Sequence, residues 1–508
     1  MPIDSRPRGV CSPPGKSQAL FCADLPSCPT PEIGVVLVTG GAGYIGGRLV
    51  PELIARGYHV RVLVRGKPIR YAERWPGAEI VAGDCLDSQS LDWALEGVHT
   101  AYYLIHSLAL GPEEFERADT LAAANFRKAA ERQGINRIIY LGGLGSKRAE
   151  LSDHLRSRMD VAEELERGPV PVTILRAAVI IGSGSASYEI ILHLVKRLPI
   201  IPVPIWARNF CQPIGIRDVI KYLVGVLEIK KTTGRVFDIG GRDILTWIQM
   251  LKVLAEVVEK KNVFVRCPIR HIGVYSYLAS IVTPVPALIT RCLMNGLKNS
   301  VCCRENSITK ILPFEPFSYR ESVAGALSRE EQDRVQTRWS DAYPPAHDLA
   351  ERLDELEEPP RYTASYSLFT NKDAASLFKS FCRVGGNRGW FHNNWMWRLR
   401  GMIDRLLLGV GTSRGRRSYS SLGVNDVIDF WRVEDLQKDR RLLLRAEMRI
   451  PGKAWLEFAI GREDGGNRLM VTAYYDASTV FGIGYWYTFL PFHEHLFNNL
   501  IRQIAKRS

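Results

Sequence analysis

Apolar positions in the first half of the chain fall into short runs that alternate with stretches of helical spacing. Val35–Val38 is an apolar run that ends in Thr39 and a cluster of glycines. Ile45, Leu49, Leu53 and Ile54 then recur at helical spacing to about Arg56, and Gly57 stands where a helix-ending glycine belongs. His59–Val64 is a second apolar run. Strand, glycine turn, helix and strand within about thirty residues make a βαβ unit. The alternation continues with strands at Glu79–Ala82, 100–105, 137–141 and 172–175. Helices are expected between them at Ser88–Leu95, 113–133 and 151–166. Such strict alternation predicts an α/β fold with a parallel, doubly wound sheet.

After Arg176 the pattern loosens into helices and Pro-rich turns, with Val236–Ile239 as one more strand and 247–258 as a helix. A charged, Pro-rich stretch at 328–362 reads as a linker. Beyond it, 426–433, 442–449, 454–460 and 468–475 read as consecutive strands, and 491–506 as a closing helix, an α+β pattern. Residues 1–33 are rich in Pro, Ser and Cys and read as a disordered leader. No apolar core follows Arg6 and Arg8, which argues against a secretory signal; a short transit peptide stays open, with Arg6 and Arg8 set against Asp4 and Asp24. The expected domains are therefore 34–327 and 363–508.

The segment 272–290 carries no charge and is long enough to span a bilayer. Pro284 and Pro286 break it, so a pair of short helices is expected, buried or against a membrane surface. A cytoplasmic location follows, with peripheral membrane contact as a possible addition. The net charge is +13 over 508 residues. No dense Lys/Arg block with interleaved aromatics accompanies it, so nucleic acid is not the expected partner. Arg414, Arg416 and Arg417 read as a solvated loop or an anionic headgroup contact. The ten cysteines include no C-x-x-C pair, and His493 and His495 are two apart, so no metal site is expected.

The sharpest chemical signal is Thr39-Gly40-Gly41-Ala42-Gly43-Tyr44-Ile45-Gly46. Gly40 permits the turn off the strand, Gly43 lets backbone approach a pyrophosphate, and Gly46 lets helix and strand pack closely. The following helix N-terminus offers free amides, including those of Tyr44 and Ile45, to an anion. The second strand ends in Arg65 rather than the acid that an NAD site places there, so NADP(H) is the expected cofactor, with NAD possible. Asp84, after the third strand, either accepts from an adenine amine or caps the next helix.

With these residues the chain resembles the extended and atypical short-chain dehydrogenases/reductases, around NmrA-like proteins and the Rossmann accessory subunit of respiratory NADH:ubiquinone oxidoreductase. The resemblance runs from about Val35 to Leu327. It rests on the glycine motif, Gly83-Asp84, Tyr102-Tyr103-Leu104-Ile105-His106-Ser107 and Leu175-Arg176-Ala177-Ala178. It implies that residues from Leu104, and those after Arg176, lie beside the ribose and nicotinamide. Active members carry Tyr-x-x-x-Lys after the fifth strand. Here His154-Leu155-Arg156-Ser157-Arg158 stands in its place. His154 is the candidate proton donor and Arg158 the candidate ribose holder. The readings left open are an oxidoreductase acting on a hydrophobic small molecule, a non-catalytic dinucleotide-binding regulator or assembly factor, and a carrier of apolar ligands. The last region is similar to polyketide-cyclase and START-like helix-grip domains. There Trp431, Trp455, Phe458, Trp486, Tyr487 and Phe489 either line a cavity or fill a core.

Overall fold

The structure is a computed structural model. It describes residues 20–508 except 73, 107–111, 146–151, 269–270, 332–334, 336, 343–351, 387–388, 392–393, 408 and 412–421. The basic loop at 414–417 thus lies outside the described residues.

The first half follows the expected alternation: β1 (Val35–Val38), α1 (Gly46–Ala55), β2 (His59–Val64), β3 (Glu79–Ala82), α2 (Ser88–Leu95), β4 (Val98–Tyr103), α3 (Pro112–Arg132), β5 (Arg137–Gly143), α4 (Asp153–Glu166) and β6 (Val172–Ala177). Next come β7 (Ile180–Ile181), α5 (Ala186–Arg197), β8 (Ile200–Val203), β9 (Phe210–Cys211), β10 (Ile214–Gly215), α6 (Ile216–Glu228), β11 (Val236–Ile239), β12 (Leu245–Thr246), α7 (Trp247–Val257) and β13 (Val263–Arg266). The order β11-β6-β5-β4-β1-β2-β3 forms one seven-stranded sheet, and every pair in it is parallel. Helices cover both faces, which is why its strands are apolar on both sides. The chain order reverses between β1 and β4, and there the carboxyl ends of two strands open a crevice.

The uncharged segment folds as α8 (Ile272–Val282) and α9 (Ala287–Asn295), parted at the prolines as expected. Among the described residues no helix is long and apolar enough to cross a membrane. α10 (Ser307–Ile311) and α11 (Tyr319–Glu331) complete this part.

The second domain is an antiparallel sheet of β14 (Tyr362–Thr370), β15 (Val427–Ile428), β16 (Trp431–Gln437), β17 (Arg441–Ala446), β18 (Lys453–Glu463) and β19 (Gly466–Asp476), in the order β14-β19-β18-β17-β16-β15. α12 (Ala374–Phe381), α13 (Asn394–Leu406) and the long α14 (Val480–Arg507) accompany it. Leu444, Leu456, Phe458 and Val471 face a core shared with Leu377, Phe497 and Ile501 of α12 and α14. The expected strand 426–433 is broken in two because Asp429 turns with φ +56°. The closing helix begins earlier than its Pro491 suggests, since Thr479 caps it and the proline is tolerated inside.

Two expectations need correction. Residues 20–33 are not a disordered leader: Phe21, Cys22 and Leu25 are buried in the core with α1 and α6. The amides of Phe21 and Cys22 donate to the Glu52 carboxylate, and Lys221 pairs with Asp24 at 2.7 Å. The stretch 328–362 is not a free linker either. Thr337, Ser340, Asp341 and Arg352 within it are buried, and β14 begins at its end.

Candidate dinucleotide site

The crevice is built around the glycine turn. Thr39 joins the two strands that flank it: its Oγ1 donates to the Tyr102 carbonyl at 3.0 Å and accepts from the Leu104 amide at 3.1 Å. Gly40 adopts φ +65°, and a Cβ there would lie 2.6 Å from the Leu104 carbonyl. A Cβ on Gly46 would collide with the Gly40 carbonyl, so only glycine lets α1 approach β1 this closely. The amide of Gly43 donates to the Gly40 carbonyl at 3.0 Å and closes the turn. α1 enters from Ile45 with no side-chain cap; the Gly47 and Arg48 amides donate within the turn, to the Gly43 and Ile45 carbonyls at 3.0 Å each, which leaves those of Tyr44, Ile45 and Gly46 for an outside acceptor. The Tyr44 ring is held by its own contacts. It packs under the Arg48 guanidinium, 4.2 Å from the ring centre, and its hydroxyl lies close to Gly182.

At the adenosine end, Arg65 is exposed just past β2. Gly66 follows with φ +84°, and a Cβ on it would lie 3.3 Å from the guanidinium of Arg352. Two arginines distant in sequence thus flank one turn. Lys67 pairs with Asp354 at 2.8 Å and fastens the same segment. Asp84 does not cap the next helix: Asp87 does, by accepting from the Gln89 amide at 3.0 Å. The Asp84 carboxylate instead accepts from the Leu86 amide at 2.9 Å, inside its own turn.

At the nicotinamide end, Arg158 Nη1 lies 3.4 Å from both the Ile105 carbonyl and the Tyr140 hydroxyl. The Tyr140 hydroxyl donates to the Arg158 carbonyl at 3.1 Å. Ser152 caps α4 through the Leu155 amide, which fixes His154 and Arg158 in its first turns. His154 lies against His106, with ring centres 5.0 Å apart. His106 Nδ1 is 3.0 Å from Asp119 Oδ2. Burial, with Arg158 beside it, lowers the His106 pKa to about 4. Burial and the nearby His106 and Arg158 likewise hold His154 well below the ordinary histidine range. Both rings are therefore neutral near pH 7, because burial disfavours the charged form. The expected proton donor, His154, thus sits in a buried histidine pair that disfavours its charged form. His106, Asp119 and Tyr140 were missed as site residues. The only sequence signal was the position of His106 and Tyr140 at or near the carboxyl ends of adjacent strands.

A band of chain not anticipated from the sequence crosses the glycine turn. Thr337 Oγ1 donates to the Tyr44 carbonyl at 2.8 Å. The buried Arg48 donates to Thr337 Oγ1 and, at 2.8 Å, to the Ser183 carbonyl. The Trp339 amide donates to the Gly184 carbonyl at 2.8 Å, and Arg74 joins Ala42 to Asp341. The other side of this band is bonded to the second domain. Arg432 donates to the Ser340 carbonyl at 2.8 Å and the Leu353 amide to Glu434, while Asn425 donates directly to the Tyr71 hydroxyl of the first domain at 2.6 Å.

The second domain's aromatics do not form one cavity lining. Trp431 and Phe458 are buried in its main core, while Trp486 belongs to a separate cluster with Tyr475. Trp455 points to the opposite sheet face and donates to Glu434 at 3.0 Å. Tyr487 and Phe489 are exposed on α14.

Comparison with known proteins agrees with this division. The NmrA-like family model matches residues 33–272, and a family described as a protein of unknown function (DUF2867) matches residues 358–500. A ceramide reductase of Caulobacter vibrioides is 28% identical over 247 residues, covering 46% of this chain and 74% of that protein. The mitochondrial NADH dehydrogenase [ubiquinone] 1 alpha subcomplex subunit 9 of Arabidopsis thaliana is 24% identical over 247 residues, 46% of this chain and 60% of the subunit. Among solved structures, the Citrobacter sp. triphenylmethane reductase complexed with NADP(H) aligns with a TM-score of 0.48 at 19% identity, covering 57% of this chain and 99% of that one. The amino-terminal half is thus similar to NmrA-like proteins and Rossmann-type in fold, and the second domain matches the model of a family of unknown function.

Proposed function

We propose that this protein binds NADP(H) in the crevice between β1 and β4 and reduces an apolar small molecule there. The observation that carries this reading is the uncapped start of α1 behind a turn that only glycine can form, with Arg65 and Arg352 at the end of β2. The amides of Tyr44, Ile45 and Gly46 would hold the pyrophosphate. Arg65 and Arg352 would pair with the adenosine 2′-phosphate, whose charge a guanidinium matches with a rigid fork of donors. When bound, the nicotinamide would supply hydride. Arg158 fixes the ends of β4 and β5 where it would lie, and His106, tied to Asp119, stands on the same wall. The likeness to a ceramide reductase supports an apolar acceptor.

A second reading, a dinucleotide-responsive regulator or assembly subunit, is favoured by the band at 337–342. It is bonded to the pyrophosphate turn on one side and to the second domain on the other. The neutral His154 and the missing Tyr-x-x-x-Lys pair also suit it.

The test is calorimetric titration with NADPH and NADH, followed by NADPH oxidation with a panel of quinones, enones and long-chain ketones. Tighter NADPH binding with turnover supports the reductase. Tight binding without turnover, together with altered protease cutting within 328–362, supports the regulator. No binding of either dinucleotide contradicts both.

A further inference from the structure

We infer that α8 and α13 together form a docking face for the surface of an anionic lipid bilayer. Each helix is half-buried and presents an acid-free apolar stripe to solvent. On α13, Trp395, Leu399, Met402, Ile403 and Leu406 are all exposed, and their spacing places them along one side. The opposite side buries Trp397, Gly401 and Asp404. Asp404 is the sole acid of this helix. It is turned inward, where it accepts from the amides of Gly411 and Arg449, each at 2.7 Å. On α8, Val274, Leu278 and Ile281 form a shorter exposed stripe above buried Tyr275 and Ala279. The two helices belong to different domains, yet they meet where Arg405 donates to the Ile281 carbonyl.

The exposed large side chains are not scattered singly. Trp395 is 65% exposed and Met402 55%, and they share one helix face with three other apolar residues. Contiguous apolar surface of this kind marks an interaction site. The charges around it select the partner. Arg398 on α13, Arg291 on α9 and Lys298 just after it are exposed. The whole chain carries a net charge of +13, which opposes a second copy of itself and favours a negatively charged surface. Apolar helix faces with a basic surround lie in the plane of a bilayer's headgroup boundary, without spanning it. An aromatic such as Trp395 suits the same depth. This inference stands independently of any dinucleotide.

The experiment is flotation of the full-length protein with vesicles of phosphatidylcholine alone and of phosphatidylcholine with phosphatidylglycerol. The paired variant Leu399→Glu/Met402→Glu on one helix and Leu278→Glu on the other are compared with the wild type, and melting temperatures are recorded for all. The expected result is flotation of the wild type with the anionic vesicles and much less with the neutral ones. Each variant should lose about tenfold or more of that partitioning, the scale of pressing a carboxylate into lipid, with melting unchanged. If the paired variant unfolds, Leu278→Glu carries the test alone. The inference is overturned if the wild type stays with the soluble fraction, if the variants float as it does, or if neutral vesicles bind it equally. It is also overturned if the wild type sediments as a dimer that the variants dissociate.

Discussion

Thr337 donates its hydroxyl to the carbonyl of Tyr44 at 2.8 Å, which ties the chain leaving the first domain to the turn that starts α1. Arg48 reaches the same hydroxyl from the first turn of that helix. Thr337→Val removes both bonds and leaves a buried guanidinium short of one acceptor. The expected loss is about 1–3 kcal/mol of stability, the cost of an unsatisfied buried polar group. Urea unfolding followed by tryptophan fluorescence measures it. A midpoint equal to the wild type would show that the band does not hold the turn.

Arg65 and Arg352 are expected to act together on the 2′-phosphate. Arg65→Glu should weaken NADPH by about 1.5–3 kcal/mol, the worth of a charged hydrogen bond, and leave NADH nearly unchanged. Arg352→Ala should act in the same direction, because its guanidinium lies against Gly66 beside Arg65. Calorimetry with both dinucleotides separates the outcomes. Equal losses for NADPH and NADH would remove the 2′-phosphate from the account.

Stability should fall as the solution is acidified through the histidine range. His106 has its folded pKa lowered from 6.5 to about 4. Between these values the unfolded chain binds the proton and the folded chain does not, so stability rises with pH across this window. The contribution of the neutral ring is complete above about pH 6.5 and is lost as pH falls through about 4. Two and a half pH units correspond to about 3 kcal/mol as an upper figure. His106→Gln, which keeps a donor for Asp119, should flatten the acid limb of a plot of unfolding midpoint against pH. An unchanged limb would mean that the ring is not buried neutral.

Arg158→Ala should loosen the ends of β4 and β5, since the guanidinium bridges the Ile105 carbonyl and the Tyr140 hydroxyl. NADPH affinity should drop by several-fold, about 1 kcal/mol for lost hydrogen bonds. His154→Phe should leave that affinity intact, because a neutral buried ring carries no charge for the cofactor. Fluorescence titration of both variants checks the contrast. The reverse order would make His154 the residue that faces the ligand.

The parallel sheet and the glycine turn were legible because each strand and helix announces itself by local periodicity. Gly40 and Gly46 could be read from spacing alone as turn and packing glycines, and a Cβ on either would run into the Leu104 or the Gly40 carbonyl. What was illegible depends on the chain returning from far away. Thr337 and Arg352 lie in a charged, Pro-rich stretch without periodicity, so nothing local shows that they fold back onto Tyr44 and Gly66. Phe21 and Cys22 looked like part of a leader because two apolar residues make no pattern, yet Glu52 holds their amides. The proton state of His154 depends on Arg158 and His106 and on burial, all set by tertiary packing. The broken strand at Asp429 reflects one positive φ in an apolar run that reads as continuous.

The central claim is that the turn from Gly40 to Gly46 is a pyrophosphate cradle. Calorimetric titration of the wild type and of Gly43→Val with NADPH tests it most directly. A valine there places a branched side chain where the diphosphate must approach the backbone. The account predicts one NADPH per chain for the wild type and no measurable binding for Gly43→Val, with both proteins melting as folded species. Binding of equal affinity in the two proteins, or none in the wild type, would contradict it.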